Sequence, residues 1–220
     1  MTKEKIDIIT LGCSKNLVDS EFVIKQFEAI GFTVHHDPEI PKAPIAIINT
    51  CGFIGDAKEE SIDTILQFAQ RKKQGKLKKL LVMGCLSERY RNELSKEIPE
   101  VDKFYGKFEY KQVVLDLSNE YNEALRLQRT VTTPKHYTYV KISEGCNRLC
   151  SYCAIPIITG RHISRPEEDI LEEVKMLAQK GTKEFQIIAQ DLSYYGIDLY
   201  KKSKLADLIN KISDINGVEW

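Results

Sequence analysis

Residues 45–51 read Ile-Ala-Ile-Ile-Asn-Thr-Cys, a continuous apolar run that ends in a cysteine. Such a run is typical of a strand that is buried on both faces of a parallel sheet. Comparable runs occupy residues 6–11 and 79–83, and helical patterns such as 14–30 separate them. Strands that alternate with helices form a parallel sheet with helices on both of its faces. We therefore predict that residues 1–118 form an α/β domain of this kind.

Three cysteines follow these strands, and we call Cys13, Cys51 and Cys85 the N-terminal trio. The carboxyl ends of parallel strands share one edge of a sheet, where ligand sites gather. We therefore expect the three thiols to converge. Buried cysteines that pack as small apolar side chains are the alternative. The position of all three at strand ends favours a three-cysteine metal site.

The other three cysteines lie in one loop, and we call Cys146, Cys150 and Cys153 the loop trio. Their spacing, Cys-x3-Cys-x2-Cys, differs from the Cys-x2-Cys-x2-Cys run of a bacterial ferredoxin. It also differs from a zinc ribbon, which needs two separated Cys-x2-Cys knuckles or a His pair. Three thiolates can hold three irons of a cubane cluster and leave the fourth iron open to a small molecule. The loop therefore predicts an iron–sulfur site, with zinc or a disulfide as the alternative.

The segment 119–136 is polar and is interpreted as an interdomain linker. A second series of strand and helix patterns follows it, at 137–143, 166–180, 184–189, 204–212 and 217–220. Residues 137–220 are therefore interpreted as the first part of a larger (β/α) barrel that is cut short. Gln190 and Asp191 follow one of its strands, where the active sites of barrels form. We expect these two side chains to contact a cofactor or a substrate.

Composition indicates a protein of the cytoplasm. The chain has 32 basic and 32 acidic residues, without the basic excess that is usual for a dedicated nucleic-acid binder. It has no long apolar run and no signal-like N-terminus, so no membrane partner is expected. Six cysteines without a secretion signal argue against a disulfide framework. We expect a monomer.

Several motifs together resemble the radical S-adenosylmethionine methylthiotransferases. They are Leu11-Gly-Cys-Ser-Lys-Asn-Leu-Val-Asp-Ser-Glu21, Asn49-Thr-Cys-Gly-Phe53, Met83-Gly-Cys-Leu86, Glu144-Gly-Cys with Cys-Ser-Tyr-Cys153, Ile155-Pro156 and Ser164-Arg165-Pro166. The first of these and Ala189-Gln-Asp-Leu-Ser-Tyr-Tyr-Gly196 are similar to members that methylthiolate an aspartate β-carbon of small-subunit ribosomal protein S-twelve. The tRNA-modifying MiaB type typically has Gln-Met-Asn in the first motif.

The resemblance implies two 4Fe–4S clusters and S-adenosylmethionine as cofactors. The loop trio would hold the cluster whose open iron binds S-adenosylmethionine, reductive cleavage would give a 5′-deoxyadenosyl radical, and Tyr152 would lie near the adenine. The N-terminal trio would hold a second cluster that carries the sulfur to be inserted. Flavodoxin or ferredoxin would supply electrons, and ribosomal protein S-twelve or the ribosome would be the substrate.

Two departures from the family pattern bear on these expectations. Members often have Arg-Gly after the cysteine loop, whereas Thr159-Gly160-Arg161 stands here, which leaves the role of Arg161 open. Members also continue through the barrel into a small β-barrel domain called TRAM, so we expect a fragment whose own activity is open. A tRNA (adenosine) methylthiotransferase of the MiaB type and a non-catalytic metal-binding module are the alternative functions.

Overall fold

The computed structural model describes residues 4–220, so the first three residues of the predicted domain 1–118 lie outside it. The chain divides into two compact units, one that ends at Thr130 and one that runs from Val131 to Trp220. The segment 119–136, predicted as a linker, contributes residues to both units. Within residues 4–220, no helix combines the length and the apolar character needed to cross a bilayer.

The first unit is built on a five-stranded sheet in which every neighbouring pair is parallel, as predicted. Its strand order is β2-β1-β3-β4-β5, and the strands are β1 (Lys5–Thr10), β2 (Thr33–His36), β3 (Ile45–Thr50), β4 (Lys79–Gly84) and β5 (Lys103–Phe104). Strand β3 is central and is buried at every position. This burial explains its uninterrupted apolar sequence, since both of its faces meet helices.

Alternate side chains of β3 enter two separate cores. Ile45 and Ile47 pack with Phe27 in one core, whereas Ala46 and Ile48 pack in the other core. The first core also receives α1 and α4, and the second receives α2 and α3. These helices are α1 (Ser14–Ile30), α2 (Gly55–Lys73), α3 (Cys85–Glu97) and α4 (Tyr110–Ser118). The period-2 alternation of a strand thus places helices on both faces of the sheet.

The second unit contains a parallel pair of strands and two longer helices that share one core. Its elements are β6 (Tyr137–Lys141), β7 (Ser143–Glu144), α5 (Ile155–Thr159), β8 (Ile163–Ser164), α6 (Glu167–Gln179), β9 (Glu184–Ile188), α7 (Ile197–Tyr200) and α8 (Leu205–Ser213). Strand β6 pairs with β9, and the short β7 pairs with β8 in antiparallel fashion.

The structure has no strand at residues 217–220, where the sequence predicted the start of one. Hydrogen bonds nevertheless tie this end to the chain around β9. The Phe185 N–H donates to the Trp220 carbonyl oxygen (2.7 Å), and the Trp220 N–H donates to the Lys183 carbonyl oxygen (3.1 Å). The segment therefore runs beside β9 without the repeated ladder that defines a strand.

A buried ion pair fixes residues 122–130 to α1. Arg129 donates to Glu21, and their side chains are 0% and 1% exposed. Nearby, the Gln26 side chain and the Asn122 backbone exchange two hydrogen bonds, each 3.0 Å long. Polar contacts thus hold most of the first unit's share of the predicted linker against the helix that follows Cys13.

Arg129→Met should lower the free energy of unfolding of the first unit by about 3–5 kcal/mol, because it removes a buried positive charge that pairs with the Glu21 carboxylate. Urea unfolding followed by circular dichroism measures this loss. The exposed pair of Lys78 with Glu4 provides the control, and Lys78→Met should cost less than about 1 kcal/mol. Equal, small losses in both variants would contradict the importance of the buried pair.

Candidate metal centres

The N-terminal trio lies at the carboxyl edge of the first sheet. Cys13 immediately precedes α1, Cys51 immediately follows β3, and Cys85 follows β4 as the first residue of α3. Strands β1, β3 and β4 are neighbours in the sheet, so the three loops that follow them are neighbours too. The parallel fold therefore gathers the loops of three cysteines that are far apart in sequence.

Two glycines lie where these loops approach each other closely, as the space around an added Cβ atom shows. A Cβ atom at Gly12 would lie 2.9 Å from the Cys51 Sγ. A Cβ atom at Gly52 would lie 2.7 Å from the backbone nitrogen of Leu86, the residue after Cys85. Both separations are too short for real side chains. Only glycine therefore allows the Cys51 loop to touch the loops of its two partners.

Two buried asparagines hold the Cys13 and Cys51 loops together. The Asn16 Nδ2 donates to the carbonyl oxygens of Leu11 (2.9 Å) and Thr50 (3.0 Å). The Asn49 Nδ2 donates to the Asn16 carbonyl oxygen (2.9 Å) and to the Ser20 Oγ (3.0 Å). The Asn16 and Asn49 side chains thereby use buried amide groups to fix the ends of β1 and β3 against α1.

The Cys85 thiol has the most perturbed electrostatics of the trio. The pKa of Cys85 is raised to about 11: burial is the main cause, the Lys107 ammonium opposes it, and the neighbouring Cys13, Cys51 and Asp19 add smaller increases. The Cys85 Sγ lies 3.8 Å from the Asn16 Oδ1, to which it donates a hydrogen bond. Since a metal binds the thiolate, metal binding here must release this proton.

The space beside Cys13 and Cys51 suits a group larger than a single ion. A cavity of about 640 Å³ is lined by Cys13 and Cys51 together with Phe53 and Ile54. In the part of the chain that the structure describes, no three His, Cys, Asp or Glu side chains are placed to hold one metal ion. A cubane spaces its thiolates more widely than zinc does, whose 2.3 Å bonds put thiolates about 3.8 Å apart. The glycine-lined loops and the cavity are compatible with a 4Fe–4S cluster.

The loop trio sits on a loop whose two ends are pinned together. The antiparallel pair of β7 and β8 joins the chain before Cys146 to the chain after Gly160, and the Cys146 N–H donates to the Gly160 carbonyl oxygen (3.2 Å). Gly145 has a φ of +69°. A Cβ atom at Gly145 would overlap the carbonyl oxygen of Arg161 and lie 2.8 Å from that of Gly160. Arg161 thus contributes its backbone to the closed neck of the loop.

Within the loop, the three thiols differ in exposure. Cys146 is buried, Cys153 is half-buried and Cys150 is exposed. The Cys146 Sγ accepts a hydrogen bond from the Arg148 N–H (3.4 Å). Tyr152, which the resemblance places near an adenine, is 90% exposed. The loop therefore presents an outward face on which a ligand could bind.

Asp191 is tied to the cysteine loop, a connection that the sequence did not reveal. Its Oδ2 accepts a hydrogen bond from the Arg148 Nε (2.8 Å), and its Oδ1 caps the turn after β9 by accepting from the Ser193 N–H (3.1 Å). Hydrogen bonds from Ser193 and Arg148 hold the pKa of Asp191 below its usual value. Gln190, which precedes it, is half-buried at the end of β9. In the sequence, Arg148 stands out only as a basic residue inside a cysteine loop, which is a weak indication of its contact with Asp191.

A second polar group lies behind the loop, and the sequence did not reveal its connections. The Asn147 Oδ1 accepts from the His162 N–H (3.1 Å). The His162 Nε2 lies 3.0 Å from the Ser164 Oγ, which donates to the Asp198 Oδ1 (2.6 Å). Burial lowers the pKa of His162. Because these residues share no recognisable spacing, only the fold shows that they connect β8 and α7 to the cysteine loop.

Comparisons with known proteins match both halves of the chain. Residues 5–106 match the family described as Uncharacterized protein family UPF0004, and residues 140–218 match the Radical SAM superfamily. The fold is similar to that of the radical S-adenosylmethionine methyltransferase TsrM from Kitasatospora setae, solved with cobalamin and a [4Fe-4S] cluster bound. That likeness has a TM-score of 0.58 at 11% identity, over 96% of this chain and 52% of that chain. The chain therefore carries a radical SAM domain after an α/β domain with a parallel sheet, which confirms the predicted fold class.

Curated relatives show which methylthiotransferases the chain is similar to. The chain is 66% identical over 220 residues to the ribosomal protein uS12 methylthiotransferase RimO of Bacteroides thetaiotaomicron, covering 100% of this chain and 50% of that protein. It is 60% identical over 220 residues to RimO of Porphyromonas gingivalis, covering 100% of this chain and 51% of that protein. The chain thus spans about half the length of these relatives. The predicted resemblance to the radical methylthiotransferases, and among them to RimO, is confirmed.

Gly145→Ala should open the neck of the cysteine loop and expose the buried Cys146 thiol. Because the added Cβ must push the Arg161 and Gly160 carbonyl groups away, alkylation of Cys146 in the metal-free protein should accelerate by roughly tenfold, which corresponds to about 1.4 kcal/mol. Peptide mapping by mass spectrometry after timed iodoacetamide treatment measures the rate.

Gly160→Ala is the matched control for this change. Gly160 has nearly the same φ, +70°, but no atom lies within 4 Å of an added Cβ. The backbone strain is thus common to both variants, and only Gly145→Ala adds the clash. Equal exposure of Cys146 in both variants would contradict the requirement for glycine at position 145 in the neck.

Proposed function

We propose that the protein is a radical S-adenosylmethionine methylthiotransferase that adds a methylthio group to the β-carbon of an aspartate in ribosomal protein uS12, the protein named S-twelve above. The observation that carries this proposal is the 66% identity to a RimO over all 220 residues of this chain. In this proposal residues 1–118 form the domain of the auxiliary cluster, 119–136 the linker, and 137–220 the first part of the radical SAM domain.

The loop trio would ligate one 4Fe–4S cluster. When bound, this cluster and S-adenosylmethionine supply a 5′-deoxyadenosyl radical, which removes hydrogen from a carbon that has no acidic proton. The chain's own residues hold the loop in shape: Gly145 closes its neck, and the Arg148–Asp191 ion pair (2.8 Å) ties it to the end of β9. We assign Tyr152, Gln190 and Asp191 to contacts with S-adenosylmethionine or substrate.

The N-terminal trio would ligate the second 4Fe–4S cluster, at which the sulfur is delivered. Cys13 occupies the N-cap position of the 17-residue α1, and Cys85 begins α3. The partial positive charge of a helix N-terminus stabilises a nearby anion, so two of the three thiolates lie where the backbone favours them. Cluster assembly should weaken at low pH, since the thiols must lose protons to bind iron.

The remaining partners belong to the same proposal. A low-potential donor such as flavodoxin or ferredoxin would supply electrons, and the protein would act as a monomer in the cytoplasm on uS12 or on the ribosome. The balanced charge of the chain, with 32 basic and 32 acidic residues, favours a protein substrate over tRNA.

The decisive experiment uses the intact protein, reconstituted with iron and sulfide under anaerobic conditions. Two cubanes should give about eight irons per chain, and replacing either trio with alanine should leave about four. Incubation with S-adenosylmethionine, reductant and ribosomes should raise the mass of uS12 by one methylthio group, and each trio variant should abolish this change.

Each trio variant controls for the other, because each should retain the remaining cluster and its spectrum. About four irons in the unchanged protein would contradict the second cluster. Methylthiolation of tRNA in place of uS12 would support the MiaB type, and tightly bound zinc with little iron would support a metal-binding module.

A further inference from the structure

A buried lysine lies among the loops at the carboxyl edge of the first sheet. Lys107 follows β5, the neighbour of β4 in the sheet. Its side chain is 2% exposed, and its Nζ donates to the Asp19 Oδ2 at 3.1 Å. Asp19 is also buried, with a side chain that is 7% exposed. A lysine is rarely buried to this degree, so its position needs a physical reason.

Lys107 contacts both of the helices that begin at the N-terminal trio. Asp19 belongs to α1, which Cys13 precedes, and the Lys107 N–H donates to the Glu88 Oε2 (2.9 Å) of α3, which Cys85 begins. Asp19 lies one turn beyond Asn16, the side chain that accepts from Cys85. Contacts from both helices therefore hold the ammonium and the carboxylate near the trio.

Both charges act on the Cys85 sulfur, in opposite directions. Lys107 lowers the pKa of the Cys85 thiol and Asp19 raises it, and the effect of Lys107 is the larger of the two. A group that Cys85 ligates lies near the same two charges, which water screens little because both side chains are buried.

Stability alone does not account for this pair. Removing two charges from water costs several kcal/mol per ion, and apolar side chains of similar volume often serve a core as well or better. Three thiolates around an iron–sulfur cluster, in contrast, concentrate negative charge that a nearby cation stabilises. The reduction potential of such a cluster depends on the charge and hydrogen bonds around it.

We propose that Lys107 and Asp19 form a charge couple that sets the reduction potential of the cluster held by the N-terminal trio, with Lys107 raising the potential and Asp19 lowering it. This inference rests on the proposed function, because it assumes a cluster at that trio. One-electron reduction by an external donor adds one negative charge to the site. The Lys107 ammonium stabilises that added charge, and the Asp19 carboxylate destabilises it.

The test uses the intact protein with the loop trio replaced by alanine, so that one cluster remains, in a dithionite titration followed by electron paramagnetic resonance. Lys107→Met should lower the midpoint potential by about 59 mV, a tenfold change in the one-electron reduction constant. Asp19→Asn should raise the potential. The double variant should lie between the two, and Lys107→Arg should restore the original value.

Opposite signs separate this role from a structural one, because damage to packing would move both single variants in the same direction. Lys103→Met is the matched control: Lys103 belongs to β5 but is half exposed and pairs with Asp116, so no shift is expected. If Lys107→Met does not fold, Asp19→Asn still tests the sign, since it should raise the potential, and Lys107→Arg should leave the potential unchanged. Equal potentials in all variants, or shifts of one sign, would overturn the inference. If the protein that lacks only the loop trio binds no iron, the proposed function is overturned instead.

Discussion

The parallel register of β1, β3 and β4 is the constraint on which the N-terminal site depends. Thr10 pairs with Asn49, and Thr50 pairs with Gly84, so Cys51 and Cys85 leave their strands at the same level of the sheet. Burial of β3 on both faces fixes this register, because a slip by one residue would exchange the side chains of the two cores. The apolar cores thus determine where the cysteines lie, although the cysteines contribute little to the cores.

In each unit separately, neighbouring parallel strands place the residues of a candidate site at their carboxyl ends. In the second unit, β6 leads through β7 into the cysteine loop and the parallel β9 leads to Asp191, so the Arg148–Asp191 pair forms between two neighbouring strand ends. Polar contacts then hold the loops that the strands position. Asn16 and Asn49 clamp the loops of the first unit, and glycines without Cβ atoms let backbones approach closely at both sites.

Features with strong local signals could be predicted from the sequence. The apolar strands, the helix at 14–30 and the position of three cysteines after strands all follow from periodicity and from the rule for parallel strand ends. The partners of Arg148, the burial of Lys107 and the neck at Gly145 could not be predicted, since each depends on residues that are distant in sequence. The strand expected at 217–220 does not form. This segment makes only a few hydrogen bonds beside β9, and they do not extend into a ladder.

The central claim is that the end of a parallel sheet gathers Cys13, Cys51 and Cys85 around an inorganic cluster of their own. Anomalous X-ray diffraction at the iron edge, on crystals of the reconstituted protein grown without oxygen, tests it most directly. The account predicts two separate iron peaks, one of them bonded to the sulfurs of Cys13, Cys51 and Cys85. A single peak at Cys146, Cys150 and Cys153, with the other three sulfurs bound to no iron, would contradict it.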